Sequence, residues 1–243
     1  MADESPTIPP ERALDVCIQL ARARTAGVIA RWLLHDAAAP AQVLALLPDM
    51  LEQADGTLDE QARGMLVTST RRLGESLELL DRWLRHPASE PSVEPLDVPE
   101  AIGEVAQLWH RRRAPPDLRL EPPDGALPLA RAPRPHVAFA LLNLLLNARE
   151  TLGDADRPEV RLRARADGDS VLVEVEDDGP GVAPEVLPRL FEPFVSSRLD
   201  RPVAGLGLFA ARHLLRSTGG DLRHERPAGG GARFVLMLPR WGR

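Results

Sequence analysis

Residues 86–98, HPASEPSVEPLDV, constrain this chain more than any other stretch. Proline has no amide donor and pushes the residue before it out of helical geometry, so a proline run this dense breaks regular structure. The chain therefore has to fold as two parts. In the first, apolar residues recur at helical spacing: Leu14, Cys17, Ala21, Val28, Trp32, Val43, Leu47 and Leu51. Pro40 is expected to kink this run. Residues 54–57, Ala-Asp-Gly-Thr, read as a turn, with Thr57 and Glu60 as a capping box. A second helical run carries Gln61, Met65, Thr68, Leu73, Leu77, Leu80 and Leu84. Two long helices joined by a short turn make a hairpin, placed at residues 11–87. One hairpin has too little to pack against, and pairing into a dimeric four-helix bundle buries the remainder. Val28, Trp32, Leu73 and Leu77 are then expected to be exposed in a lone hairpin.

Beyond the proline-rich stretch the pattern changes, and a second domain is placed at residues 95–241. Residues 99–111 read as a helix, 118–121 as a short strand and 136–152 as a strongly apolar helix. Residues 160–165 and 171–176 alternate as half-buried strands do, about a turn at Ala166-Asp167-Gly168-Asp169. A helix over 206–217 and strands over 221–225 and 232–238 close the chain. The fold class is α+β: a helical hairpin followed by an α/β sandwich.

Composition excludes several function classes. The net charge of -6 gives no electrostatic reason to expect nucleic acid. Cys17 is the single cysteine, which rules out an intrachain disulfide and a cysteine-cluster metal site. No apolar run approaches the ~18 residues of a membrane span. The start, MADESPTIPPE, is acidic and proline-rich, unlike a signal peptide. The expectation is a cytoplasmic protein with no membrane or nucleic-acid partner.

Three motifs carry chemistry. In LLNLLLNARETL, Asn143, Asn147 and Glu150 fall on one stripe of a largely apolar helix. A buried carboxamide without a partner costs about 1–3 kcal/mol, so the stripe either faces a polar ligand or is satisfied by backbone groups. In EVEDDGPGV a strand ends in Asp177-Asp178 and runs into Gly179-Pro180-Gly181. A carboxylate there can accept a hydrogen bond from an exocyclic amine, though such a sequence is also a common turn. LFEPFVSSR, residues 190–198, leads to Gly205-Leu206-Gly207-Leu208. Those glycines open either a flexible loop or a helix whose free N–H groups suit phosphate oxygens. Arg198 can add a charge-assisted contact.

The order of these motifs decides between the alternatives. It resembles the catalytic and ATP-binding domain of two-component histidine kinases, within the gyrase-type ATPase superfamily. The resemblance implies that Asn147 is a Mg²⁺ ligand, with Asn143 the other asparagine of its motif. It implies that Asp177 recognises the adenine amino group beside Gly179 and Gly181. Phe191 and Phe194 match the aromatic pair anchoring a mobile lid, and Arg198 a basic lid residue. Gly205, Leu206 and Gly207 fall in the phosphate-side motif. ATP and Mg²⁺ are the implied ligands. The chain departs from the pattern in having Val203 where a further glycine is usual, and Glu150 where many members have lysine or glutamine. A carboxylate there repels phosphate unless Mg²⁺ or an arginine neutralises it.

RWLLHDAAAPAQ, residues 31–42, resembles the family's phosphoacceptor box. His35 is the implied phosphoacceptor, and Asp36 orients it or takes its proton. Ala39 replaces the threonine or asparagine linked in the family to dephosphorylating the partner. The implied function is a soluble, homodimeric histidine kinase that autophosphorylates His35 and passes the phosphoryl group to the aspartate of a response-regulator receiver domain. The hairpin uses up the residues before the ATP domain, so input is expected from a separate sensor protein. The alternative is a phosphotransfer protein or dimeric scaffold of kinase-like fold. ATP hydrolysis as the main activity is disfavoured, because hydrolysing relatives carry a glutamate base at the position of Asn143.

Overall fold

The computed structural model describes residues 10–53, 57–84, 92–111, 116–123, 125–152, 158–196 and 205–242. The chain divides into two compact units: residues 26–89, and residues 1–25 together with 90–243. Among the described residues no helix is long and apolar enough to cross a membrane.

The unit of residues 26–89 is helical. It holds most of α1 (Pro10–Ala45), α2 (Leu47–Gln53) and α3 (Glu60–Leu84). Ile29, Leu33 and Ala37 of α1 are buried, one helical turn apart along one face. The helix continues through Pro40 to Ala45. The interruption comes at Leu46, just before Pro48, which has no N–H to offer the Leu44 carbonyl. The cap of α3 is also not Thr57: the Asp59 carboxylate accepts the Ala62 amide at 2.7 Å. Of the residues expected to be exposed, Leu77 is so, whereas Val28, Trp32 and Leu73 are half-buried.

The other unit is a two-layer sandwich. Its five-stranded sheet has the order β2 (Asp117–Leu120), β4 (Glu159–Asp167), β5 (Ser170–Asp177), β7 (Ala232–Pro239), β6 (Asp221–Glu225). All pairs are antiparallel except β2 with β4. A second, two-stranded sheet pairs β1 (Glu94–Leu96) with β3 (Ala130–Ala132). β1 lies inside the proline-rich stretch that reads as linker, and its Leu96 is buried. Helices α4 (Val98–Arg111), α5 (Arg134–Leu152) and α6 (Gly207–Arg216) form the other layer. The Asp97 carboxylate caps α4 through the Glu100 amide at 3.0 Å. α5 is buried nearly all round, as a helix at the centre of a core must be.

Alternation sorts the sheet faces. Val160, Leu162 and Ala164 of β4 and Val171, Val173 and Val175 of β5 are buried. The residues of opposite parity carry Arg161–Glu176 and Arg165–Glu174 ion pairs at 2.8 and 2.7 Å, and Arg233 joins Glu176 at 2.6 Å. One face is thus apolar and packed, the other a charged lattice in contact with water.

Candidate nucleotide site

Asp177 has the parity of Val171, Val173 and Val175, so its carboxylate enters the packed side of the sheet and is 6% exposed. Burial pushes its pKa up, while the Gly179 and Ala232 amides, which favour the ionised form, pull it down. The Gly179 amide donates to Oδ1 at 3.0 Å. A buried carboxylate with remaining acceptor capacity at a cavity wall suits an N–H donor on a ligand.

That cavity measures about 300 Å³. Asp177 and Gly181 line one part, and Asn147, Glu150 and Thr151 of α5 line another. Val182, Ala183, Val186, Leu190 and Phe234 supply an apolar wall fit for a flat ring. Gly205, Gly207 and Leu208 border it at the start of α6. Leu206 is the N-cap and makes no side-chain cap bond, so its side chain does not compete with an anion for the first-turn amides of α6.

The glycines here are required by close approach. A Cβ on Gly207 would sit 2.6 Å from Asn143 Oδ1. Gly205 has φ +76°, and a Cβ there would meet the Val195 backbone at 2.5–2.6 Å. The chain before and after residues 196–204 is thereby held together at its two ends.

The sequence-predicted residues do not all meet at one place. Asn147, Asp177, Gly181, Gly205 and Gly207 meet around the cavity. Gly179 supports Asp177 from beside it. Asn143 and Leu206 are buried outside the cavity lining. Asn143 Nδ2 donates to the Phe139 carbonyl at 2.8 Å, and its Oδ1 accepts from Thr25 Oγ1 at 3.3 Å, so its amide is satisfied within the protein. Phe191 lies 4.4 Å under the Arg212 guanidinium, and Phe194 is exposed at φ 63°. Arg198 and Val203 lie outside the described residues.

His35 and Asp36 belong to the helical unit. His35 is exposed. Asp36 is half-buried, and Ser76 Oγ of α3 donates to its Oδ2 at 3.3 Å. Reading the sequence did not find Arg24, which lines the cavity and whose Nη2 donates to Glu150 Oε1 at 3.1 Å. A separation of 126 residues leaves no local signal for that pair.

A metal fits this site only in company. Among the described residues no group of three or more His, Cys, Asp or Glu is placed to hold an ion. Mg²⁺ keeps several waters and takes one or two protein ligands beside substrate phosphates. A single amide oxygen from Asn147 at the cavity wall meets that requirement; a metal caged by protein alone would not be held.

The family model described as histidine kinase-, DNA gyrase B-, and HSP90-like ATPase matches residues 133–242. The C4-dicarboxylate transport sensor protein DctS of Rhodobacter capsulatus is 26% identical over 229 residues, covering 88% of this chain and 34% of that protein. This chain thus spans about a third of that relative's length. The catalytic domain of histidine kinase ThkA superposes with a TM-score of 0.54 at 25% identity, over 61% of this chain and 96% of that domain. Full-length ShkA in complex with AMPPNP gives a TM-score of 0.55 at 26% identity, over 96% of this chain and 46% of that one. Residues 133–242 thus match the family of histidine kinase-, DNA gyrase B-, and HSP90-like ATPases, and this unit has the fold of histidine kinase catalytic domains.

Proposed function

We propose that the chain is an ATP-dependent protein histidine kinase. The observation that carries this is the convergence of Asn147, Asp177, Gly181, Gly205 and Gly207 on one cavity. Asp177 accepts the adenine amine while Ala183, Val186 and Leu190 cover the ring. The α6 amino terminus receives phosphate oxygens. Asn147 would hold Mg²⁺ bound with the nucleotide, and the ion would supply positive charge against the phosphates. The AMPPNP complex of ShkA supports a nucleotide here.

His35 is the proposed nucleophile: its imidazole nitrogen attacks the γ-phosphorus, the bond to the bridging oxygen breaks, and ADP leaves. Asp36 accepts the imidazole proton or fixes the ring through the opposite nitrogen. Exposure of His35 leaves it open to both the donor nucleotide and an acceptor. The proposed acceptor is the aspartate of a response-regulator receiver domain. The apolar residues left exposed on the hairpin favour a homodimer, working in the cytoplasm with input from a separate protein.

The test is phosphorylation of the full chain by labelled Mg-ATP. A phosphoramidate is acid-labile and base-stable, unlike a serine ester. Wild type gains such label; His35→Gln gains none and binds ATP as before; Asp36→Asn is slowed by about 10²–10⁴-fold. Asn147→Ala loses Mg²⁺-dependent labelling more than nucleotide docking. If wild type binds ATP and His35 is never labelled, even with a receiver domain present, the scaffold reading takes its place.

A further inference from the structure

The cavity wall contains a charge that a polyphosphate site should not hold alone. Glu150 lies one helical turn beyond Asn147 on α5 and faces the same cavity. A carboxylate beside phosphates raises the energy of the bound state by like-charge repulsion. The compensating cation comes from a distant part of the chain. Arg24, in the amino-terminal stretch of α1, borders the cavity and pairs with Glu150 at 3.1 Å, the two side chains being 30% and 19% exposed.

The arginine is anchored by its neighbour. Thr25 is 3% exposed and bonds to Asn143. Asn143 and Glu150, the partners of Thr25 and Arg24, lie seven residues apart on one stripe of α5. This segment of α1 thus crosses α5 at Thr25 and Asn143, and Arg24 reaches toward the carboxy-terminal end of α5, where the cavity lies. The bond to Glu150 uses one nitrogen of a guanidinium that carries five N–H donors in a planar fork. Such a fork can hold a carboxylate and phosphate oxygens together.

We propose that Arg24 is a nucleotide-binding residue that contacts the phosphates of ATP, with Glu150 as its positioning partner, so that nucleotide affinity depends on Arg24 and Thr25 of α1 being seated on α5. This rests on the nucleotide reading above and names a residue for it. Phosphate-bearing ligands need α1 in place, whereas the adenine end of the cavity, built around Asp177, does not.

Calorimetric titration of the full chain with Mg-ATP, Mg-ADP and adenosine tests this. Arg24→Ala should weaken Mg-ATP by about tenfold or more, in line with a charge-assisted hydrogen bond. The loss should be smaller for Mg-ADP and absent for adenosine. Arg24→Lys should recover part of the loss. Glu150→Gln, which removes the repelling charge and keeps a side-chain oxygen to accept the Arg24 bond, should bind Mg-ATP at least as tightly as wild type. Adding Arg24→Ala to Glu150→Gln should still weaken Mg-ATP; if the double variant binds like Glu150→Gln, direct phosphate contact is refuted. Equal Mg-ATP affinity in wild type and Arg24→Ala also overturns the proposal, as does an equal loss for adenosine, which would mark a packing role. If wild type binds no nucleotide, the functional reading fails first and takes this assignment with it.

Discussion

In the α/β domain, Leu141, Leu142, Leu144 and Leu145 of α5 are at most 1% exposed, whereas in the helical unit Leu34, Met65, Val67 and Leu77 stand at 48–67%. The contrast is one of partners rather than of composition, since both segments are rich in leucine. α5 is enclosed by α4, α6 and the sheet. In the helical unit these side chains stay at the surface. The domain closes its own core, and the helical unit leaves apolar side chains at its surface, which is the ground for the homodimer proposed above.

The sharpest way to break this comparison is to damage both cores alike. Leu145→Ala should destabilise the domain by about 2–5 kcal/mol, because the cavity left behind cannot collapse among fully packed neighbours. Urea unfolding followed by a domain-specific probe measures it. A cost under about 1 kcal/mol would mean that α5 is not the centre of the core.

A comparable effect comes from pH. His136 is 5% exposed, and no full hydrogen bond reaches either ring nitrogen. Burial, with Arg22 as a lesser influence, lowers its pKa from 6.5 to about 4. The Leu214 backbone leans weakly the other way. Because the folded value is the depressed one, the unfolded chain takes the proton first as pH falls. Stability from this group is full above its unfolded value near 6.5 and is lost on descending to about 4. The loss is roughly 3 kcal/mol. Melting wild type and His136→Leu across that range isolates it; parallel curves would show that His136 is not a buried neutral imidazole.

Asp177→Asn should weaken ATP binding by about 1–3 kcal/mol, since a charged acceptor becomes a neutral one, while hairpin helicity stays unchanged. Unaltered affinity in calorimetry would remove Asp177 from the site. Smallest is Leu77→Ser, expected to change the stability of the isolated chain by no more than about 0.5 kcal/mol. Sedimentation should nevertheless show weaker self-association, and unchanged association would place the hairpin's partner elsewhere.

What the sequence made legible was whatever is written in short-range period. The β4–β5 hairpin was, because alternation and a Gly168-Asp169 turn specify it locally. The inward parity of Asp177 follows from the same valines. β1 was hidden, because three residues among prolines acquire strand geometry only by pairing with β3, far along the chain, in the register Glu94↔Ala132 with Leu96↔Ala130 inside it. A helical stripe identified the face that Asn143 and Asn147 share but not their depth. Asn147 reaches the cavity, while Asn143 spends its amide on Phe139 and Thr25. The cap of α3 shifted because Asp59, next to the first helical residue, outweighed Thr57.

The tight fit of Gly205 against the backbone of Phe194 and Val195 has a bearing on how such a protein can vary. Two backbone segments that meet with no room for a Cβ fix each other's position, so the contact admits almost no change of residue at Gly205. One methyl group there forces the two backbones apart. The tolerance of these positions to change is therefore set by backbone spacing and not by side-chain chemistry.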